Sequence, residues 1–95
     1  MVRVVAANFL KSENIAEAEP LFREMIEATL KEKGCIEYRL HVNEKEPGHY
    51  VFVEEWETME DLDNHHETEH FKRIVPKIRS FKAKDNIAWV MKEFK

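Results

Sequence analysis

Three histidines, His65, His66 and His70, fall within six residues. Imidazole takes up and releases a proton near neutral pH, so this segment concentrates candidate acid–base groups. The stretch His66-Glu67-Thr68-Glu69-His70 also matches H-E-x-x-H. That spacing binds zinc when both histidines sit one turn apart on a continuous helix and the glutamate activates water. Here Thr68 reads as a helix cap, which places a break between the two histidines. No later histidine or cysteine follows, and Glu93 lies on the last predicted strand. The match is therefore read as a polar segment between helices, and neither a metal nor a cofactor is expected. His66 is read as a solvated surface group. For His65 and His70 two readings stay open, solvated surface or pocket wall, because a short helix laid on an apolar sheet commonly lines a pocket.

Trp56 and Glu54 share one strand face with Phe52 and Tyr50. This is either core packing with one tolerated acid, or the aromatic wall of a pocket with the indole N–H free to donate. Asn8, an amide inside an apolar run, has the same two readings. Cys35 follows a helix-ending glycine and reads as a small half-buried residue rather than a nucleophile.

The elements that must position these groups follow from periodicity. Val2–Leu10 is nearly continuous in apolar residues, as in a strand covered on both faces. Asn14 and Glu17 resemble a capping box. Behind them Ile15, Ala18, Leu21, Phe22, Met25, Ile26 and Leu30 recur at helical spacing up to Gly34, with Pro20 interrupting. Cys35 to Val42 alternates as a strand, Asn43–Gly48 is a turn, and His49 to Glu57 is the returning strand. Thr58 caps a short helix. Thr68 starts another in which Phe71, Ile74, Val75 and Ile78 are spaced for burial, before a polar link and a last strand from Ile87 to Phe94. The order β-α-β-β-α-β predicts an α+β, ferredoxin-like antiparallel sheet with helices on one face.

Composition narrows the function. The chain has 95 residues, 43% of them hydrophobic, which predicts one domain over residues 1–95 with a real core. It carries 15 Lys and Arg against 19 Asp and Glu, net −4, with the basic residues scattered. Nucleic-acid binding needs a basic stripe and is not expected. A single cysteine excludes an internal disulfide. No apolar run approaches a membrane span and no signal-peptide pattern is visible, so a cytoplasmic protein without membrane partners is expected.

The ordered set Gly34-Cys35-Ile36-Glu37-Tyr38, Tyr50 to Trp56, Asp61 to His65 and His70-Phe71 resembles the antibiotic biosynthesis monooxygenase family along essentially the whole chain. The resemblance implies a dimeric α+β barrel of two ferredoxin-like protomers, each with a pocket between sheet and helices. It implies pocket positions at Asn8, Tyr38, Glu54, Trp56, His65, His70 and Phe71, with Phe52 on the same wall. It also implies a monooxygenase that takes a small electron-rich aromatic, a quinol or phenol, together with dioxygen and without metal or flavin. In that reading His65 or His70 is the base, and Asn8 and Trp56 donate hydrogen bonds. Heme degradation is disfavoured, since Val75 stands where the heme-ligand histidine would fall. Isomerisation of a quorum-sensing sugar derivative, a carbonyl-type substrate, and a non-catalytic binding dimer are the alternatives. An apolar sheet face including Val51 and Val53 supports the homodimer.

Overall fold

The computed structural model describes residues 1–95. Four strands, β1 (Val2–Leu10), β2 (Cys35–Val42), β3 (His49–Trp56) and β4 (Lys82–Met91), form one antiparallel sheet in the order β2-β3-β1-β4. Helices α1 (Ile15–Thr29), α2 (Met59–His66) and α3 (Glu69–Arg79) fill the connections. This is the ferredoxin-like plan. β1, the most continuously apolar strand, lies inside the sheet and pairs on both edges. The core between sheet and helices is built around Trp56, Met25, Leu62 and Ile74, all almost fully buried. No helix is long and apolar enough to cross a membrane.

Capping explains where α2 and α3 begin. Thr58 and Thr68 both have extended backbones, and each hydroxyl accepts the backbone N–H three residues on, Asp61 at 3.0 Å and Phe71 at 3.3 Å. Asn14 behaves differently from the expected capping box. A 3-10 turn over Ser12–Asn14 feeds α1 directly, so Asn14 is already helical, and its amide donates to the Glu17 side chain at 3.2 Å instead. The helix then runs through Pro20 without interruption.

Strand β4 ends at Met91, short of the expected Phe94, so Glu93 lies beyond it, and β3 ends at Trp56, one residue before the expected Glu57. Two further differences from the sequence expectation matter for the site. Helix α1 stops at Thr29, not at Gly34. Bonds from Lys31 N–H to the Ala28 carbonyl (3.3 Å) and from Glu32 N–H to that of Thr29 (3.0 Å) tighten the chain into a turn that carries Glu32. Strand β4 starts at Lys82, so the segment expected to be a link is already paired with β1. Its polar side chains are tolerated because β4 is an edge strand with most of its residues in water, where lysines discourage further pairing.

Register sorts the side chains onto two faces. Val4, Ala6 and Asn8 sit opposite Glu54, Phe52 and Tyr50 on the face beneath the helices. Val5 sits opposite Val53 and Trp89, and Ala7 opposite Val51 and Ile87, on the face that no helix covers.

Gly34 closes the α1–β2 turn at φ +82°, a conformation that suits only glycine, and a Cβ there would lie 2.1 Å from the Asp61 carboxylate. Gly34→Ala therefore combines backbone strain with a clash against the buried Asp61 of α2. A loss of about 1–3 kcal/mol is expected, read as a lower thermal unfolding midpoint; an unchanged midpoint would contradict this account of the turn.

Candidate functional site

Between the sheet and helices α1 and α3 lies a cavity of about 120 Å³ lined mostly by hydrophobic residues. The sheet forms its floor with Val4, Ala6, Asn8, Tyr38, Phe52 and Glu54, and Met25, Phe71, Val75 and Ile78 close it from the helices. The exposed side chains of His66 and Arg79 stand at its mouth. An apolar cavity of roughly 150 Å³ accepts benzene, so this one has the scale of a single aromatic ring.

The polar groups in that apolar wall are few. Asn8 on β1 is joined by Asn86 on β4. Between the pairs Ala7–Ile87 and Phe9–Lys84, two residues of β4 oppose Asn8 alone, a bulge of the kind that re-aims a side chain. Asn86 shares the cavity face with Ala88 by the alternation of the strand, and the bulge instead sets Lys84 opposite Phe9, its Nζ 4.3 Å from that ring centroid.

Glu54 is the ionisable group of the floor. Its residue is only 6% exposed, and one donor reaches its carboxylate, the Trp56 indole Nε1–H at 3.0 Å from Oε1. The pair is local in origin: side chains two apart on a strand stand on the same face. Burial pushes the Glu54 carboxyl up to about 7; the indole N–H opposes that rise and the Glu32 charge adds to it. Glu54 therefore gains and loses its proton near neutral pH inside an apolar wall. Tyr38, its cross-strand partner, is held well above the ordinary phenol range by burial and then by the Glu54 charge. The buried Thr29 hydroxyl lies close enough to offset part of that rise, without making a hydrogen bond of acceptable geometry.

The histidines form a second cluster. His65 Nδ1 lies 2.9 Å and His70 Nε2 lies 2.6 Å from the same oxygen, Oε2 of Glu32. His65 is buried, its ring 4.8 Å from Trp56, 5.1 Å from Phe71 and 5.7 Å from Tyr38 between centroids. Burial holds its pKa below the usual value, against the pull of Glu32.

The residues singled out from sequence thus fall into two groups. Asn8, Tyr38, Phe52, Glu54 and Phe71 line the cavity, whereas Trp56, His65 and His70 stand behind that lining. Sequence reasoning missed Glu32, Asn86 and Arg79. Glu32 looked like one more charged residue near a helix end, and Asn86 lay in a segment expected to be a link. No spacing rule marks either one. His66, read as solvated, is exposed and also borders the cavity, 4.9 Å from the Phe71 ring.

Comparison with known proteins gives a consistent picture. The family model for antibiotic biosynthesis monooxygenase matches residues 1–77. A solved antibiotic biosynthesis monooxygenase is 42% identical, with full coverage of both chains and a TM-score of 0.97. A conserved protein from Methanosarcina mazei Go1 is 34% identical over 98% of this chain and 92% of its own, with a TM-score of 0.94. A Mycobacterium tuberculosis protein at 21% identity, covering 99% and 95% of the two chains with a TM-score of 0.92, shares the fold. None of the curated proteins matches the sequence.

The raised Glu54 pKa has a consequence for stability. The folded chain holds this proton more tightly than the unfolded chain, where the carboxyl titrates near its ordinary 4.5. Its contribution to stability is full at low pH, falls as the pH rises from about 4.5 to about 7 and is constant above. Glu54→Gln cannot ionise and should lack this decline. Urea unfolding at pH 5 and pH 8 should show a stability loss larger in the parent than in the variant by about 2 kcal/mol. Parallel pH slopes would mean that Glu54 does not titrate near neutrality.

Proposed function

The chain belongs to the antibiotic biosynthesis monooxygenase family, and from that premise we propose that it is a cofactor-independent monooxygenase of a small, single-ring quinol or phenol. The observation that carries this reading is Glu54, a carboxyl poised near pH 7 in the wall of a ring-sized apolar cavity. Ground-state dioxygen reacts slowly with closed-shell organic molecules, so the enzyme must first make its substrate a strong electron donor. Removing the phenolic proton does so. A base whose pKa lies near the working pH does this best.

In this reading the base is Glu54, which lines the cavity, and not His65 or His70, which stand behind it. The Trp56 indole aims and partly stabilises the Glu54 carboxylate. The Asn8 and Asn86 amides donate to the developing oxyanion and to reduced oxygen, while Phe52, Phe71 and Tyr38 hold the ring and exclude water. Arg79 at the mouth favours an electron-rich, anionic ring. The overall reaction balances without an external reductant. Hydroquinone plus dioxygen gives hydroxyquinone plus water, with one oxygen atom entering the ring and the substrate supplying every electron.

The second part of the proposal is assembly. On the uncovered sheet face Ile87, Trp89 and Met91 are 48%, 50% and 44% exposed beside half-buried Val5, Val51 and Val53. The occupant of that face is a second copy of the chain, sheet against sheet, as in an α+β barrel. The helix-covered cavities then lie on the outer sides. About 800 Å² per subunit is typical of a stable dimer.

Two measurements test these readings. In an oxygen electrode a quinol panel should be turned over only with dioxygen, with kcat/KM rising through about pH 7 as Glu54 ionises. Glu54→Gln should lower kcat by about 10²–10⁴ and remove that pH dependence. Equal turnover without oxygen, no turnover of any quinol, or an unimpaired variant would refute the chemistry. Sedimentation should show a dimer at micromolar concentration. Val53→Asp, which buries an unpaired carboxylate in the interface, should dissociate or unfold it; a stable folded monomer of the unmodified chain would refute the assembly.

A further inference from the structure

Glu32, His65 and His70 form a cluster that the chemistry of the cavity does not use. Three elements build it: the turn after α1, the last turn of α2 and the first turn of α3. The elbow between the two histidines is set by Thr68, whose hydroxyl donates to the His65 carbonyl at 2.8 Å while capping α3. That elbow brings residues five apart in sequence to one carboxylate oxygen, with distances of 2.9 and 2.6 Å. The three side chains are only 12%, 2% and 15% exposed in the order Glu32, His65, His70. No lysine or arginine pairs with Glu32; its ion-pair partners are the two imidazoles. A carboxylate this buried calls for a cation, and two ring nitrogens converge where one would sit.

We propose that Glu32 Oε2, His65 Nδ1 and His70 Nε2 bind one divalent transition-metal cation of the zinc class. Their ligand atoms all lie within 4.8 Å of one another. Bonds of about 2.0–2.2 Å to each would set neighbouring ligands about 3.3 Å apart in a tetrahedral site, within reach of small side-chain rotations. Two imidazoles and one carboxylate suit zinc and its neighbours, whereas magnesium and calcium prefer all-oxygen sites. The fourth position takes water, and the partial exposure of Glu32 and His70 supplies the way in. Each imidazole then carries its proton on its other ring nitrogen, so binding swaps the tautomer that donates to Glu32.

This trio is not the H-E-x-x-H match in the sequence. His66 borders the cavity mouth and Glu67 pairs with Lys72. Because the ligands stand behind the Tyr38, Trp56 and Phe71 rings, the metal acts as a clamp. It pins the α1–β2 turn to α2 and α3 behind the wall that carries Glu54.

The test uses tag-free protein stripped with a chelator and titrated with zinc chloride by calorimetry, with cobalt(II) as a spectroscopic probe. One zinc per chain should bind and raise the thermal midpoint, and cobalt should give the intense visible bands of a four-coordinate site. Glu32→Gln and His70→Ala should each weaken zinc binding at least tenfold, while His66→Ala should leave it unchanged. Stoichiometry well below one, zinc binding that survives Glu32→Gln, or loss of binding in His66→Ala would overturn the assignment. If a variant fails to fold, the cobalt spectrum of the parent decides: bands of a six-coordinate, water-rich ion also overturn it.

Discussion

A carboxylate removed from water must be neutral, hydrogen-bonded or matched by a cation, and much of this structure answers that constraint. Two glutamates, Glu54 and Glu32, lie buried or nearly so on the helix side of the sheet. Each is met in its own way. Glu54 receives one indole N–H and otherwise apolar surroundings, so its proton is retained to about pH 7. Glu32 receives two imidazoles. Single donors and shared oxygens leave both carboxyls sensitive to their neighbours, and the Glu32 charge is itself one cause of the rise at Glu54.

The rings between the two carboxylates connect them mechanically. His65 packs on Trp56, Phe71 and Tyr38, and Trp56 in turn holds Glu54. Such aromatic contacts set relative orientation as well as burying area. A shift of the α2–α3 elbow would therefore reach the indole and, through it, the carboxylate in the cavity wall. Gly34 adds a further restraint, since its missing side chain lets the turn that carries Glu32 settle against Asp61 of α2.

The sheet divides its labour by face. Beneath the helices it offers a mostly apolar floor with two amides and one acid. On the other side Arg3 ties Glu37 and Glu55 together at one end, and beyond them Val5, Val51, Val53, Ile87 and Trp89 form an apolar strip bordered by Arg39 and His41 of β2. The edge strand β4 serves both faces: by alternation Asn86 and Ala88 turn inward while Ile87 and Trp89 point out.

Much of the fold was legible in the sequence because its signals are local. Alternation marked β2 and β3, Thr58 and Thr68 announced their helices, and a long apolar run marked the central strand. Part of the cavity floor was legible too, since Phe52 and Glu54 share a face by the period of the strand alone, with Trp56 behind them. Pairing decided the rest. β4 began at Lys82 because β1 was there to accept its backbone, although its side chains are those of a link. Glu32 met His65 and His70 because α1 ended early and an elbow folded two helices toward it, across 33 and 38 residues of chain. Residue types and short spacings determined which groups were available for chemistry. Which of them face a cavity, which share one oxygen and what burial does to their protons depend on long-range packing, and the tertiary structure alone decides that.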